Sequence, residues 1–267
     1  MDESAKNTAI WVGAGVTLAI LATVTFGWSI PSLRKNAQAV AGERIEVAFL
    51  DAPSWMTPTD LAPIQDLVAR EAGASAYNRE GLERAQVALL ASGWFDEVRQ
   101  VRRIGSASLE VDAIFVDPVA LVVDADGEHL LDSRARLLPR TYATGTAPNL
   151  TRILGVSLAR PKQPGQVWGG ADLLAGIEMA KLIGTQRWRA QVSAVDVSDF
   201  RTNQTLSLRT TKHCRLIWGR APGREASAEV PAAQKLRYLD LLTNQYGRID
   251  GAGPQSVDLS VDYVGSH

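Results

Sequence analysis

The chain has 267 residues, 46% of them apolar and 21% charged, and a formal net charge of −1. This composition is ordinary for a folded protein, and the balanced charge gives no electrostatic case for binding nucleic acid. Because Cys214 is the only cysteine, an internal disulfide and a multi-cysteine metal site are both excluded.

The first element along the chain is an apolar run without a charged residue, from Thr8 to Ile30. About 20 residues at a rise of 1.5 Å each cover the roughly 30 Å hydrocarbon core of a bilayer. The run therefore predicts a single transmembrane helix at 8–30 that follows a short tail at 1–7. A cleaved signal peptide and a buried core helix are the alternatives, but a signal peptide has a shorter apolar core and a more positive leader.

A polar linker at 31–43 leads into a module of about 75 residues. Its first helix has a strong start signal, since Thr57 is a good N-cap, Pro58 suits the first helical position and Asp60 favours the first turn. The second helix runs from Asn78 to Gly93, a natural C-cap. With the strands at Arg44–Leu50, Val98–Ile104 and Leu109–Val116, the predicted order is strand, helix, helix, strand, strand.

A second region begins with a hairpin, because Asp126-Gly127 supplies tight-turn chemistry between Val119–Val123 and His129–Leu131. The stretch from Asn149 to Val167 contains Pro161, Pro164 and Gly165 and is predicted to be irregular. The remaining periodic segments predict two helices and three strands, at Ala171–Ile183, Ala190–Val197, Thr205–Thr210, His213–Trp218 and Ala232–Gln245.

The clearest strand pattern in the chain is the last one, where apolar and polar residues alternate with period two. A strand with one apolar and one polar face is a candidate sheet edge, and an edge offers unpaired N–H and C=O groups to an incoming strand. We therefore predict a partner-binding edge strand, against the alternative of a strand buried inside the sheet, formed by Val257, Asp258, Leu259, Ser260, Val261, Asp262 and Tyr263.

No residue pattern predicts a catalytic, cofactor-binding or metal site. His129, His213 and His267 lack ligand-spaced partners, and neither GxSxG nor SxxK occurs. Asp124 and Asp126 resemble the start of a calcium loop, but the glutamate that such a loop requires downstream is missing, and the hairpin is the better interpretation. The sequence therefore predicts a protein that is not an enzyme, has no cofactor and takes no small-molecule substrate.

The order of the elements, together with several local phrases, resembles the FtsQ/DivIB family of bacterial cell-division proteins over nearly the whole chain. The phrase Gly93-Trp94-Phe95-Asp96-Glu97-Val98 is similar to the family's junction after the second helix of its small domain. Leu109-Glu110-Val111 with Asp117-Pro118-Val119-Ala120, then Ile217-Trp218-Gly219 with Lys235-Leu236, and finally Val257-Asp258-Leu259 are similar to later family phrases. Asp117 stands where the family has glutamate, and Ser260-Val261 where it has Arg-Tyr.

This resemblance implies a non-enzymatic bitopic membrane scaffold of the divisome, which recruits and regulates septal peptidoglycan synthesis through protein–protein contacts. It implies an inner-membrane protein, found at the division site, with a cytoplasmic N-terminus and its bulk outside the cytoplasm. It also implies that the last strand and the nearby helix bind small coiled-coil proteins of the FtsB and FtsL type. The alternatives are a membrane-tethered POTRA module in secretion or envelope assembly and an anchored periplasmic enzyme.

The predicted fold class is α+β, with a single N-terminal transmembrane helix, a small POTRA-like β-α-α-β-β domain and a larger mixed α/β domain on an antiparallel-rich sheet. The corresponding domains are a tail at 1–7, the transmembrane helix at 8–30, a linker at 31–43, the POTRA-like domain at 44–117 and an FtsQ-type β domain at 118–267.

Overall fold

Two β-sheets organise the chain in the computed structural model, which describes residues 44–74, 78–251 and 256–261. These residues form two compact units. The first unit contains the described residues up to Leu89 together with Glu97–Ile114. The second contains Leu90–Asp96 and the described residues from Phe115 onward.

The first sheet has three strands in the order β1-β3-β2, with β1 parallel to β3. Its elements, in chain order, are β1 (Glu46–Phe49), α1 (Pro58–Ala72), α2 (Arg79–Ala91), β2 (Phe95–Arg103) and β3 (Ser108–Phe115). The predicted helix start is confirmed, because Thr57 and Asp60 exchange side-chain and backbone hydrogen bonds in a capping box at the beginning of α1.

Eight strands form the second sheet, in the order β11-β10-β9-β8-β7-β4-β5-β6. The strands are β4 (Ala120–Asp124), β5 (Gly127–Leu131), β6 (Leu137–Tyr142), β7 (Thr151–Leu154), β8 (Val192–Asp196), β9 (Leu206–Thr210), β10 (Arg215–Gly219) and β11 (Ser256–Asp258). The helices are α3 (Ala171–Gly184), the single turn α4 (Phe200–Asn203) and α5 (Ala232–Tyr246).

The core of the second unit lies on one face of this sheet. Because side chains alternate between faces, Ile153 of β7, Val195 of β8 and Leu208 of β9 share the apolar face. They belong to one cluster of buried residues with Leu173 and Ile177 of α3 and Leu239 and Leu242 of α5. The opposite face carries charged pairs, including Arg152 with Glu128 and Arg209 with Asp196, beside the buried Leu121 and Leu130.

The predicted fold class is wrong. Within the three stretches described here, no helix is long and apolar enough to cross a membrane. Thr8–Ile30, where the sequence predicts the transmembrane helix, lies outside the described residues.

The second sheet is mixed: four of its seven pairs of neighbouring strands are antiparallel and three are parallel. Strand β7 runs parallel to both of its neighbours, β4 and β8, and β11 runs parallel to β10. Parallel or antiparallel pairing depends on which strands meet, and an alternating pattern within one strand carries no information on its partners. The chain is therefore α+β with a mixed sheet.

Candidate protein-binding edge

The last described strand, β11, lies at one end of the eight-stranded sheet. Among the described residues it pairs with those of β10 alone, with Ser256 opposite Arg215, Val257 opposite Leu216 and Asp258 opposite Ile217. The Leu259 N–H donates to the Ile217 carbonyl at 2.8 Å and extends the pairing by one residue. The N–H and C=O of Asp258 point away from β10, because those of successive strand residues alternate in direction.

The strand is shorter than predicted. It covers Ser256–Asp258, whereas the sequence predicts it over Val257–Tyr263. It ends because the Asp258 Oδ1 accepts hydrogen bonds from the Ser260 N–H at 2.8 Å and the Ser260 hydroxyl at 2.6 Å. This local turn competes with the sheet ladder for the backbone. Asp-x-Ser is a turn signal that the alternation of apolar and polar residues hides.

The predicted site residues therefore have different environments. Leu259 is buried in the core cluster, and Val257 is half-buried against it, so both face the apolar side. Asp258 and Ser260 form the turn, and Val261 is exposed. Asp262 and Tyr263 lie outside the described residues. Within the predicted range, Asp258 is therefore the strand residue whose N–H and C=O face outward.

A buried ion pair, which sequence reasoning missed, fixes the end of this edge. The Lys235 ammonium, from α5, donates to the Trp218 carbonyl at 2.5 Å and to the Glu229 carboxylate at 2.7 Å. It also lies 5.0 Å from the centre of the Trp218 ring. The Lys235 side chain is fully buried, and that of Glu229 is 9% exposed. The resemblance singles out Lys235-Leu236, but nothing in the sequence indicates that the lysine is buried.

Glycine is required at position 219, where β10 ends beside this pair. Gly219 has a φ of +93°, and a Cβ there would lie 2.1 Å from the Glu229 Oε1 and 3.0 Å from the Ser260 Cβ. The backbone of Ser260 is held from the other side, because the Val230 N–H donates to its carbonyl at 3.0 Å. The close approach of three segments therefore locks the end of the edge strand in place.

Helix α5 packs on the sheet through Leu239 and Leu242. Its opposite side carries Tyr238 and Leu241, three residues apart and exposed at 43% and 63%. At its N-terminus the Glu225 carboxylate accepts the Ala232 N–H at 3.1 Å. Burial alone would raise the pKa of Glu225, but backbone hydrogen bonds and the nearby Lys235 outweigh burial and lower it.

The opposite end of the sheet is protected by described residues, whereas none of them covers the outer side of β11. Strand β6 contains Pro139, which has no N–H to offer an incoming strand. The segment Gly165–Val167 also covers its first half: the Leu137 N–H donates to the Gln166 carbonyl at 2.9 Å, and the Gly165 N–H donates to the Leu137 carbonyl at 2.7 Å. Proline and a covering loop are two ways in which proteins block strand addition.

The geometry of β11 suits the addition of an extended segment, in which backbone hydrogen bonds give affinity and alternate side chains give specificity.

In the part of the chain that the structure describes, no cluster of three or more His, Cys, Asp or Glu side chains is arranged to hold a metal ion. Compared with known proteins, the sequence matches no family model and no curated protein.

Proposed function

We propose that this protein is a non-enzymatic scaffold of the bacterial cell-division machinery. It acts at the division site of the inner membrane, where it recruits and regulates septal peptidoglycan synthesis through protein–protein contacts. Its partners are small coiled-coil proteins of the FtsB and FtsL type, which add an extended segment to β11. No nucleic acid and no small-molecule substrate take part.

The single observation that supports this proposal most is the difference between the two ends of the sheet. The β6 end is blocked by Pro139 and by Gly165–Val167, whereas no described residue pairs with the outer side of β11. An exposed edge is an aggregation hazard that proteins otherwise suppress. Strand addition by a partner requires an edge strand with free backbone N–H and C=O groups, as β11 has at Asp258. The family resemblance of the sequence supplies the identity of that partner.

Binding at the edge can be separated from folding by two substitutions at one position. The Asp258→Pro variant removes an N–H that points away from β10, so the ladder to Ile217 keeps its donor at Leu259. The Asp258→Ala variant removes only the carboxylate that caps the turn. We expect Asp258→Pro to weaken binding of the FtsB- and FtsL-type proteins of the native host at least about tenfold relative to Asp258→Ala.

The binding measurement is a titration by isothermal calorimetry, and circular dichroism spectra check that both variants remain folded. Equal affinities of the two variants would contradict partner addition at β11. If both variants unfold, Ser256→Pro compared with Ser256→Ala provides the second test, because Ser256 is exposed and its N–H, like that of Asp258, points away from β10. Equal affinities of this pair would contradict the proposal as well.

The division role itself is tested in cells. A fluorescent protein fused to the N-terminus should form a band at the division site, and depletion of the untagged copy should give filaments that fail to divide. Uniform fluorescence with normal division would refute the proposed role. Complementation by Asp258→Ala but not by Asp258→Pro would connect the role to the edge strand.

A further inference from the structure

A groove on the charged face of the second sheet is a second candidate binding site, separate from the β11 edge. Its volume is about 450 Å³. Val123, Leu154 and Ala194 contribute apolar surface, and Arg152 and Arg209 contribute guanidinium groups. Ala194 pairs with Arg152 on one side and with Arg209 on the other, so the three residues lie in a row across β7, β8 and β9 on one face.

Each arginine donates hydrogen bonds to a carboxylate that lies beneath it in the groove. Arg152 donates through Nε and Nη2 to both oxygens of Glu128, at 2.7 and 3.1 Å, and Arg209 donates through Nε and Nη2 to Asp196 Oδ2, at 3.1 and 2.7 Å. The acidic side chains are 1% and 10% exposed, whereas those of the two arginines are 25% and 41% exposed. The cationic groups therefore form the outer surface and the anionic groups lie beneath it.

Both carboxylates are ionised at neutral pH. Burial alone would raise the pKa of each, but the hydrogen bonds from Arg152 and Gly145 to Glu128, and from Ser198 and Arg209 to Asp196, outweigh burial and lower the pKa. Neither arginine has a hydrogen bond from its Nη1 group to any residue in the described ranges. A guanidinium oriented by one carboxylate and still carrying free N–H donors is preorganised to bind another.

A third arginine, Arg215, lies beside the groove on the same face of the sheet. Arg209 lies directly opposite Arg215 of β10, and like charges at opposite positions of an antiparallel pair repel each other. Each of the two has its own acidic partner, Asp196 for Arg209 and Asp199 for Arg215. These carboxylates offset the repulsion, and the guanidinium groups remain partly exposed.

We propose that this groove binds an acidic polypeptide segment that presents two carboxylates about 10 Å apart with apolar side chains between them. The spacing follows from the sheet, because Arg152 and Arg209 are two strands apart and neighbouring strands are separated by about 4.8 Å. A polyproline II segment matches it, since residues three apart lie on one side at about 9.3 Å. Apolar side chains between the carboxylates would cover Val123, Leu154 and Ala194, which a phosphate polyanion cannot do.

The probe is a fluorescein-labelled (Glu-Leu-Pro)4 peptide, titrated with the full-length protein in a fluorescence anisotropy experiment at about 0.15 M salt. The matched peptides carry Gln or Lys in place of Glu. We expect the Glu peptide to bind at least about tenfold more tightly than the Gln peptide, and the Lys peptide to bind more weakly still. Equal binding of the Glu and Gln peptides would overturn the proposal.

Paired substitutions assign the binding to the groove without leaving a buried charge alone. Two double variants each keep the net charge unchanged: Glu128→Gln with Arg152→Gln, and Asp196→Asn with Arg209→Gln. Each should weaken binding of the Glu peptide at least about tenfold. The matched control, Arg187→Gln with Asp240→Asn, neutralises an exposed pair outside the groove and should leave binding unchanged. Unchanged binding in both groove variants would refute the site.

Two further measurements complete the test. If a groove variant fails to fold, as thermal unfolding would show, Arg152→Lys with Arg209→Lys retains the charges but loses the forked geometry, and should still weaken binding severalfold.

Displacement of the peptide by a single-stranded DNA oligonucleotide at equal charge concentration would indicate a general polyanion surface and overturn the proposal. The experiment contains no division protein, so its result is independent of the cell-division role.

Discussion

Lys235 shows how much one side chain contributes to the candidate edge. Its ammonium is fully buried and contacts the Trp218 carbonyl, the Trp218 ring and the Glu229 carboxylate. Through these contacts it connects α5, the end of β10 and the segment that leads into α5. A buried ion pair adds little net stability relative to apolar residues of the same shape, but the loss of one partner leaves an uncompensated charge.

We therefore expect Lys235→Met to lower the free energy of unfolding by about 3–5 kcal/mol, because Glu229 would remain buried without its cation. The double variant Lys235→Met with Glu229→Gln should lose clearly less, since no buried charge remains. Urea unfolding followed by the fluorescence of the buried tryptophans measures both variants.

The control for this experiment is Arg187→Met, which breaks the exposed pair of Arg187 with Asp240 and should cost less than about 1 kcal/mol. A Lys235→Met variant as stable as this control would show that the buried pair does not hold α5. A double variant that loses as much as the single one would show that packing, and not the unpaired carboxylate, dominates the cost.

At the scale of whole elements, sequence reasoning succeeded for β9 and α5. The predicted strand at Thr205–Thr210 and the predicted helix at Ala232–Gln245 match β9 and α5 to within one residue at each end. In α5 the buried residues recur with the helical period, whereas in β9 four of the five residues are buried and do not alternate. Local turn chemistry was also readable, since Asp124 and Gly127 close the predicted β4–β5 hairpin.

Strand β7 was missed because its signal is short and local. It has four residues between Pro148 and Gly155, and Ile153 is the only fully buried one among them. Its central place comes from its partners, since β4 and β8 pair with it from both sides. Three strands joined in parallel come from three distant stretches of chain, so neither the pairing nor the mixed sheet could be read from any one of them.

Only part of the candidate edge could be predicted from the sequence, for a related reason. The alternation from Val257 onward indicates a strand with an apolar face, but the position of a strand in a sheet depends on its partners. The ion pair of Lys235 with Glu229 and the groove of Arg152 and Arg209 join residues far apart in the chain. Single charged residues in a sequence are indistinguishable from ordinary surface residues.

If β7 lies at the centre of the second sheet, a substitution that leaves a cavity beside it should lower the free energy of unfolding. We expect Ile153→Ala to lower the free energy of unfolding by about 2–5 kcal/mol, because Ile153 is fully buried between the sheet and α3. Leu154→Ala, next to it on the open face and half-buried, should cost less than half as much. Equal losses in urea unfolding would contradict the assignment of the core to the apolar face.

On the scale of the whole molecule, the second unit depends on ionised carboxylates. The pKa is lowered in five of its acidic side chains: Asp124, Glu128, Asp196, Glu225 and Asp250. For the first four, burial alone would raise the pKa, and hydrogen bonds and nearby cations outweigh burial. For Asp250 the hydrogen bond from Arg248 is the largest cause.

These shifts fix the direction of the pH dependence. A carboxyl with a lower pKa in the folded state binds fewer protons when folded than when unfolded, so its contribution is complete above the unfolded pKa of about 4. It is lost as the pH falls through the folded pKa. We expect the free energy of unfolding to be nearly constant from about pH 7 to pH 5 and to fall steadily below about pH 4.

Urea titrations between about pH 7 and pH 3 measure this dependence through Trp168, Trp188 and Trp218, which are 2% exposed or less and report on the second unit. The Glu128→Gln with Arg152→Gln variant removes one of the five carboxyl groups with its cation. Its stability should therefore fall less steeply below about pH 4, because the slope is proportional to the difference in bound protons between the unfolded and folded states. An unchanged slope would mean that Glu128 binds protons equally in both states, and that Arg152 and the backbone of Gly145 do not stabilise its charged form.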